Sequence, residues 1–324
     1  MGMVKEGNPR RGSLQFYPRK RAKRIYPAIK TYPKSEKARI LGFAGYKAGM
    51  LHAIIIDNKK NSPTFGQEIS VPITVLDCPP LKVLGIRVYE STTKGFRALS
   101  EAWTKELPKD LSRKLKINPK EYNLENIEKM IEKISKVRII VATQPKLSGI
   151  GKKKPEVFEI EVGGTNIKEK IDFAKSLLGK EIRIEDFVKD GELVDVISIT
   201  KGKGYAGPVK RFGIKIQNRK AHKKRRHVGT LGPETPSRVR WTVPMAGQMG
   251  FMRRTEINKR VLKVGKGEEI TPKGGFKRYG KVKTSYLIVE GSVPGEKKRL
   301  VFIRAPIRPG KIKFLPTEIK KIVS

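Results

Sequence analysis

The sequence is almost without cysteine. Cys78 is the only one in 324 residues, which excludes an intramolecular disulfide and any zinc site built on this chain's cysteines. It lies in "VLDCPP", among apolar residues before a Pro-Pro turn, the setting of a buried small hydrophobe rather than a reactive thiol. A reducing compartment fits such a chain. Histidines number three, His52, His222 and His227, and the last two stand among Lys and Arg, which disfavours a dication. No apolar run approaches the ~18 residues that cross a membrane, and the N-terminus lacks the apolar stretch of a signal peptide. It is rich in Arg and poor in acid, like an organelle transit peptide, but Pro9, Pro18, Pro27 and Pro33 break the amphipathic helix such a peptide forms. A soluble cytoplasmic chain without a membrane partner is expected. Catalytic constellations are also missing: there is no G-x-S-x-G, no H-R-D and no carboxylate pair that the spacing assigns to a cleft. The expectation is a non-enzyme with no cofactor, no metal and no small-molecule substrate.

Acid is the other scarcity. Lys and Arg number 72 against 31 Asp and Glu, a formal charge of +41. A compact chain with that excess repels itself unless a polyanion or counterions answer it, so nucleic acid is the expected partner. The excess is segregated. Residues 1–40 hold 12 basic and 2 acidic residues, 201–260 hold 17 and 2, and 261–324 hold 16 and 5, whereas 98–200 hold 20 and 18. Solubility alone does not require that pattern.

"KGKGYAGPVKRF" (Lys201–Phe212) contains G-x-G-x-x-G at Gly202, Gly204 and Gly207, extended by Val209. A dinucleotide loop needs a strand before it, a helix after it and an acid about 20 residues on. The strand is expected over Val194–Thr200. Pro208 and Gly213 argue against the helix, and the distant position falls in "KAHKKRRH" (Lys220–His227), which has no acid. A kinase loop fails as well, because Asp172-Phe173 and Asp186-Phe187 are followed by Ala174 and Val188 rather than glycine. The glycines still let backbone N–H groups approach an anion, and Lys201, Lys203, Lys210 and Arg211 surround them. Alternatively they serve only to turn the chain out of a strand.

From Tyr205 to Arg260 the chain reads as a basic finger. Phe212, Trp241, Phe251, Met245, Met249 and Met252 are dispersed among Gly and Pro, too few to build a core. The isolated segment is expected to be largely disordered and to order against RNA, which supplies charge and flat bases. Candidate contacts here are Lys215, Arg219, Lys220, His222, Lys223, Lys224, Arg225, Arg226 and His227, then Arg238, Arg240, Trp241, Arg253 and Arg254. Trp241 either stacks or wedges against a base or packs on protein. With Trp241 at the tip, the return leg to Thr255 reaches at most roughly 45 Å. The N-terminal arm interleaves Phe16, Tyr17, Tyr26 and Tyr32 with clustered charge, so Arg10, Arg11, Arg19, Lys20, Arg21, Lys23 and Arg24 are candidate phosphate contacts; a nuclear-import patch is the plain alternative for "PRKRAKR".

Strands are expected around a hairpin near Lys47–Gly49 in Arg39–Asp57, and on both sides of Pro79-Pro80 in Ile69–Glu90. Others are expected over Val194–Thr200, Ser285–Val293 and Arg299–Ile307. Five or six short strands punctuated by Gly and Pro suggest a small β-barrel. Between them, Asn123–Val137 has helical spacing with Glu125–Lys129 and Glu132–Lys136 pairs, and Arg138–Gln144 follows as a strand. Asn166–Gly179 carries an N-cap and a terminal glycine, and "RALSEAWTKEL" reads as a helix with Trp103 in the core. The expected organisation is an arm over 1–38 and a barrel from 39–94, 191–204 and 261–324. An α/β insertion fills 95–190, and the finger occupies 205–260.

Four segments carry a family resemblance: "LGFAGYKAGMLH", "VDVISITKGKGYAGPVKRFG", "MAGQMGFMRRTEIN" and "EGSVPGEKKRLVFIRAP". In that order they resemble the universal large-subunit ribosomal protein three family, and the second, a strand running into T-x-G-K-G-x-x-G-x-x-x-R, is specific. The insertion resembles the archaeal and eukaryotic branch. The resemblance implies a six-stranded, translation-factor-like β-barrel and long basic extensions buried in 23S-type rRNA near its 3′ end. It also implies a role in early subunit assembly and a finger that approaches the peptidyl transferase centre. It assigns rRNA contact to Gly202, Lys203, Gly204, Gly207 and Arg211, and matches Trp241 to the Trp near the finger tip. Implied neighbours are ribosomal proteins of families fourteen and eukaryotic-type twenty-four, with residence in the cytoplasmic large subunit. Glu234 is the feature that fits least: an acid in the finger that either pairs with a nearby Arg or points away from RNA.

Overall fold

The structure, a computed structural model, describes residues 9–59, 62–115, 124–221, 224–310 and 314–323, with the side chain of Glu125 also outside the description. The expected contacts His222 and Lys223, and the expected helix start at Asn123, lie outside the described residues.

The strands in chain order are β1 (Gly42–Ile56), β2 (Glu68–Asp77), β3 (Leu81–Thr92), β4 (Gly95–Trp103), β5 (Lys136–Ala142), β6 (Val157–Glu161) and β7 (Glu181–Ile182). They continue as β8 (Leu193–Ile199), β9 (Gly202–Ala206), β10 (Gly247–Gly250), β11 (Arg253–Lys266), β12 (Ser285–Glu290), β13 (Leu300–Arg304) and β14 (Ile319–Val323). The α-helices are short: α1 (Glu125–Glu128), α2 (Ile167–Leu177), α3 (Pro208–Phe212) and α4 (Gly267–Ile270). The chain divides into two compact units, Met1–Lys23 with Thr200–Arg253, and Arg24–Ile199 with Arg254–Ser324.

The larger unit contains two sheets. In the first, strands run in the order β13-β8-β11-β12-β2-β1, and β1 pairs back with β13, so six strands form a closed ring; β14 adds to β1. β-Branched and aromatic residues fill it, among them Phe43, Ile73, Val75, Val196, Leu287, Val289 and Ile303, all 1% exposed or less. The second sheet has the order β4-β3-β5-β6 with β7 on β3. Tyr46 of β1 joins the two: its hydroxyl lies 3.1 Å from Thr143 Oγ1 and 3.0 Å from Glu156 Oε2, both buried.

Four local expectations are corrected. Arg39–Asp57 contains no hairpin; β1 runs straight through, with a register shift against β2 between Lys47 and Gly49. Gly49 serves a close approach rather than a turn, because a Cβ there would stand 2.6 Å from Phe276 Cδ1. β3 leaves the ring, since Pro79 and Pro80 have no N–H for the ladder and the chain passes into the second sheet. "RALSEAWTKEL" is mostly strand: Gly95, at φ +116°, returns the chain along β3 in an antiparallel hairpin. Cross-strand pairing overrides its helical propensity, and Trp103 is half-buried, its indole N–H donating to Glu101 at 3.1 Å. The helix expected before β5 is reduced to α1 and a 3-10 turn at Ile131–Lys133. Lys136 already pairs with Tyr89 in the sheet, so the chain has no length left for more helix. Its apolar face survives, with Ile127 and Ile134 buried, but the expected partners change: Lys136 lies 3.7 Å from Glu161, and Glu128 pairs with Lys175. α2 forms as read, with the Asn166 side chain accepting from the Lys168 N–H and Gly179 at φ +74° beyond its end.

Part of the charge in the larger unit is answered internally. Arg87 and Arg138 face each other across β3 and β5, an unfavourable pair by itself. Glu101 takes Arg87 at 2.7 Å, Glu159 binds both arginines and accepts from the Tyr89 hydroxyl at 2.6 Å, and Glu161 takes Arg138 at 3.2 Å. Asp195 of β8 opposes Arg304 of β13 at 2.7 Å, and the two are 0% and 7% exposed. Asp195 also accepts from the Asn258 and Ile307 N–H groups, at 3.1 and 3.2 Å, while Arg304 donates to the Thr31 carbonyl at 2.8 Å. Removing one member of a buried pair strands the other charge. Asp195→Ala is therefore expected to cost about 3–5 kcal/mol, seen as a lower urea midpoint; an unchanged midpoint would show the pair is not holding β8 to β13.

Candidate nucleic-acid interface

The smaller unit is built on an antiparallel ribbon. β9 and β10 pair as Ala206↔Gly247, Tyr205↔Gln248 and Gly202↔Gly250, with a register shift between Gln248 and Gly250. Gly204 takes up the irregularity at φ +66°, a conformation in which a side chain is strained. The G-x-G-x-x-G is therefore a bulged strand, not a loop wrapped around a nucleotide. A helix does follow, contrary to expectation, but it is one turn long: Pro208 at its start has φ already suited to a helix, and Gly213 ends it at φ +66°.

Two arginines expected at RNA, Arg19 and Arg211, are half-buried within the unit, and the exposed Arg10 and Arg21 also make contacts in it. Arg211 donates from Nε to the Gln248 carbonyl at 3.1 Å and from Nη1 to the Met245 carbonyl at 2.8 Å, fixing α3 to the return strand. Burial lowers its pKa. Arg19 lies between two rings, 4.3 Å from the Tyr17 centroid and 4.7 Å from that of Phe212, and donates to the Ser13 carbonyl at 2.9 Å. Tyr17 in turn meets Trp241 edge to face at 4.7 Å and 85°. Arg10 donates to the Thr242 carbonyl at 2.7 Å, the Ala22 N–H to the Phe251 carbonyl at 2.8 Å, and Arg21 lies 5.4 Å over the Phe251 ring. Arm and finger are thus one packed unit rather than two separate limbs. A guanidinium between aromatic faces keeps its charge while giving up little hydration, which is why Arg suits such a position.

The apolar interior is small: Ala206, Pro208, Phe212 and Met252 are the buried residues of the described unit. The remaining candidates lie outward. Arg10, Arg11, Lys20, Arg21, Lys23, Lys201, Lys203, Lys210, Lys215, Arg219, Lys220, Lys224, Arg225, Arg226, His227, Arg238, Arg240 and Arg253 are exposed, as are Gly202, Gly204 and Gly207. Lys224, Arg225, Arg226 and His227 line an open cleft of about 510 Å³ with Ile216. Arg24 and Arg254 belong to the larger unit. Glu234 is the only carboxylate side chain among the smaller unit's described residues. It is exposed, and its carbonyl accepts from the Ser237 hydroxyl at 2.5 Å in a local turn. Trp241 is 66% exposed even with Tyr17 on its ring, so it both packs on protein and faces out. Sequence reasoning passed over Tyr205, 80% exposed on β9; its place between Lys203 and Lys210 repeats the aromatic–basic interleaving that marked the arm.

A unit with one carboxylate side chain among its described residues and a fringe of Lys and Arg has the charge of a polyanion-binding protein. The family profile described as Ribosomal protein L3 matches residues 1–323. The chain is 52% identical to the large ribosomal subunit protein uL3 of Methanopyrus kandleri, over 96% of this chain and 88% of the relative. It is 50% identical to the proteins of that name from Methanococcus vannielii, over 99% and 98%, and Archaeoglobus fulgidus, over 96% and 95%. The chain belongs to the ribosomal protein L3 family, whose members are structural, non-enzymatic components of the large ribosomal subunit in the cytoplasm. The resemblance carried by the four segments is borne out over nearly the whole length.

The Arg19 sandwich has a direct test. Arg19→Ala removes two cation–π contacts worth roughly 1–2 kcal/mol together, so limited chymotrypsin digestion should cut at Phe16 about five- to thirty-fold faster. The urea midpoint of the larger unit should not move. Equal cleavage rates would mean that the arm is held by other contacts.

Proposed function

We propose that the protein is a structural rRNA-binding constituent of the large subunit, in which the six-stranded ring acts as a translation-factor-like β-barrel and a rigid base. The arm (1–38) and finger (205–260) grip 23S-type rRNA near its 3′ end, support early subunit assembly and reach towards the peptidyl transferase centre. The α/β insertion fills 95–190 and the barrel 39–94, 191–204 and 261–324, and the neighbouring ribosomal proteins are those of families fourteen and eukaryotic-type twenty-four. The observation that carries this reading is the charge of the smaller unit: among its described residues, one exposed carboxylate stands against a surface of exposed Lys and Arg, with almost no apolar interior. Phosphates supply what that unit lacks. Exposed Lys and Arg, together with His222 and Lys223, contact phosphate. Arg19 and Arg211 act differently, holding the shape of the surface from within. In the larger unit, by contrast, Arg87, Arg138 and Arg304 are matched by Glu101, Glu159, Glu161 and Asp195.

Affinity of this kind depends on counterion release. With 6–10 phosphate contacts, binding to a transcript of the rRNA 3′ domain should weaken roughly 10³–10⁵-fold between 50 and 200 mM salt. In a lysate the protein should co-sediment with large subunits and leave them after RNase. A flat salt response, or sedimentation with chromosomal DNA, would overturn the proposal.

A further inference from the structure

We propose that Tyr205 is a stacking platform for an unpaired RNA base, a deepening that rests on the rRNA-binding reading above. The residue is 80% exposed, the highest exposure among the large hydrophobic residues described. An aromatic side chain in that position normally seeks a cross-strand neighbour. Its partner across the ribbon is Gln248, and Gln248 is turned away: its amide donates to the Met249 and Gly250 carbonyls, both at 3.1 Å. Among the described residues no aromatic ring packs on Tyr205. The ring is therefore left uncovered by the one side chain placed to shield it.

Its backbone, by contrast, is fixed. Ala206 next to it is 5% exposed and pairs with Gly247, so the ribbon orders the chain before any partner arrives. A rigid, flat, two-torsion side chain on an ordered strand loses little entropy on binding. The approach is also open. Gly204 precedes the ring, and Gly202 and Gly207 lie nearby; a Cβ on Gly204 or Gly207 would meet nothing within 4 Å. Lys203 and Lys210, both exposed, supply positive charge on either side in sequence. The occupant that matches a bare ring, room for a backbone and flanking cations is a nucleotide: its base on the ring and its phosphate beside the lysines. Because every base has a π-face, the contact is tolerant of sequence.

Stacking and charge separate experimentally. Full-length protein carrying Tyr205→Ala, Tyr205→Leu or Tyr205→Phe is titrated with the rRNA 3′-domain transcript at several salt concentrations, and its melting temperature is recorded. Expected are a roughly 5- to 150-fold loss for Tyr205→Ala, a comparable loss for Tyr205→Leu, which is apolar but not flat, and near wild-type affinity for Tyr205→Phe. The salt slope and melting temperature should stay at the wild-type values, because no phosphate contact and no core residue has been removed. Wild-type affinity in Tyr205→Ala, with the steep wild-type slope intact, overturns the stacking role and leaves the rRNA reading standing. A loss that comes with a lower melting temperature overturns it too, since the ring would then be structural. A shallow slope in the wild-type protein sinks the underlying reading itself, whatever the variants do.

Discussion

Like charge crowded onto little apolar interior is the constraint to which the smaller unit is an answer. A globular surface ordinarily mixes signs. This unit buries Ala206, Pro208, Phe212 and Met252 and almost nothing else, so hydrophobic burial cannot be the main force that keeps it folded. Some of its positive charge is instead used as cement. Arg19 fills the space between Tyr17 and Phe212, and Arg211 ties α3 to the carbonyls of the return strand. The guanidinium serves both purposes because it is planar, weakly hydrated and always charged.

That division sorts the basic residues by role. Those with aromatic faces and carbonyls around them set the shape; those on the outside present charge to a partner. In the larger unit three arginines meet carboxylates: Arg87 and Arg138 share Glu159, and Arg304 is buried against Asp195. The near balance of sign over 98–200 is the sequence-level trace of that internal pairing, and the excess elsewhere is charge left for an external polyanion.

The chain is continuous between the ring and the ribbon. β8 leads directly into the ribbon strand β9, and β11 returns from it, so both ends of the excursion are continuous with ring strands. Asp195 reinforces the place where they leave, holding the Asn258 N–H of β11 and the Ile307 N–H as well as Arg304.

Much of this was legible in the residues. Segregated charge announced the polyanion, β-branched runs announced most ring strands, and Asn166 with Gly179 marked α2, because these are local properties that act through composition, period and capping. The failures share one cause. Whether Gly49 turns the chain or merely makes room for Phe276, whether β3 stays in the ring, and whether Trp103 ends a helix or a strand all depend on a partner distant in sequence. The same holds at the interface. Sequence alone determined that the arm and finger would carry positive charge and aromatics together. Only the tertiary structure decided which arginines would be enclosed by rings and carbonyls and which aromatic would be left bare. Exposure is set by what packs alongside, and no local pattern records that.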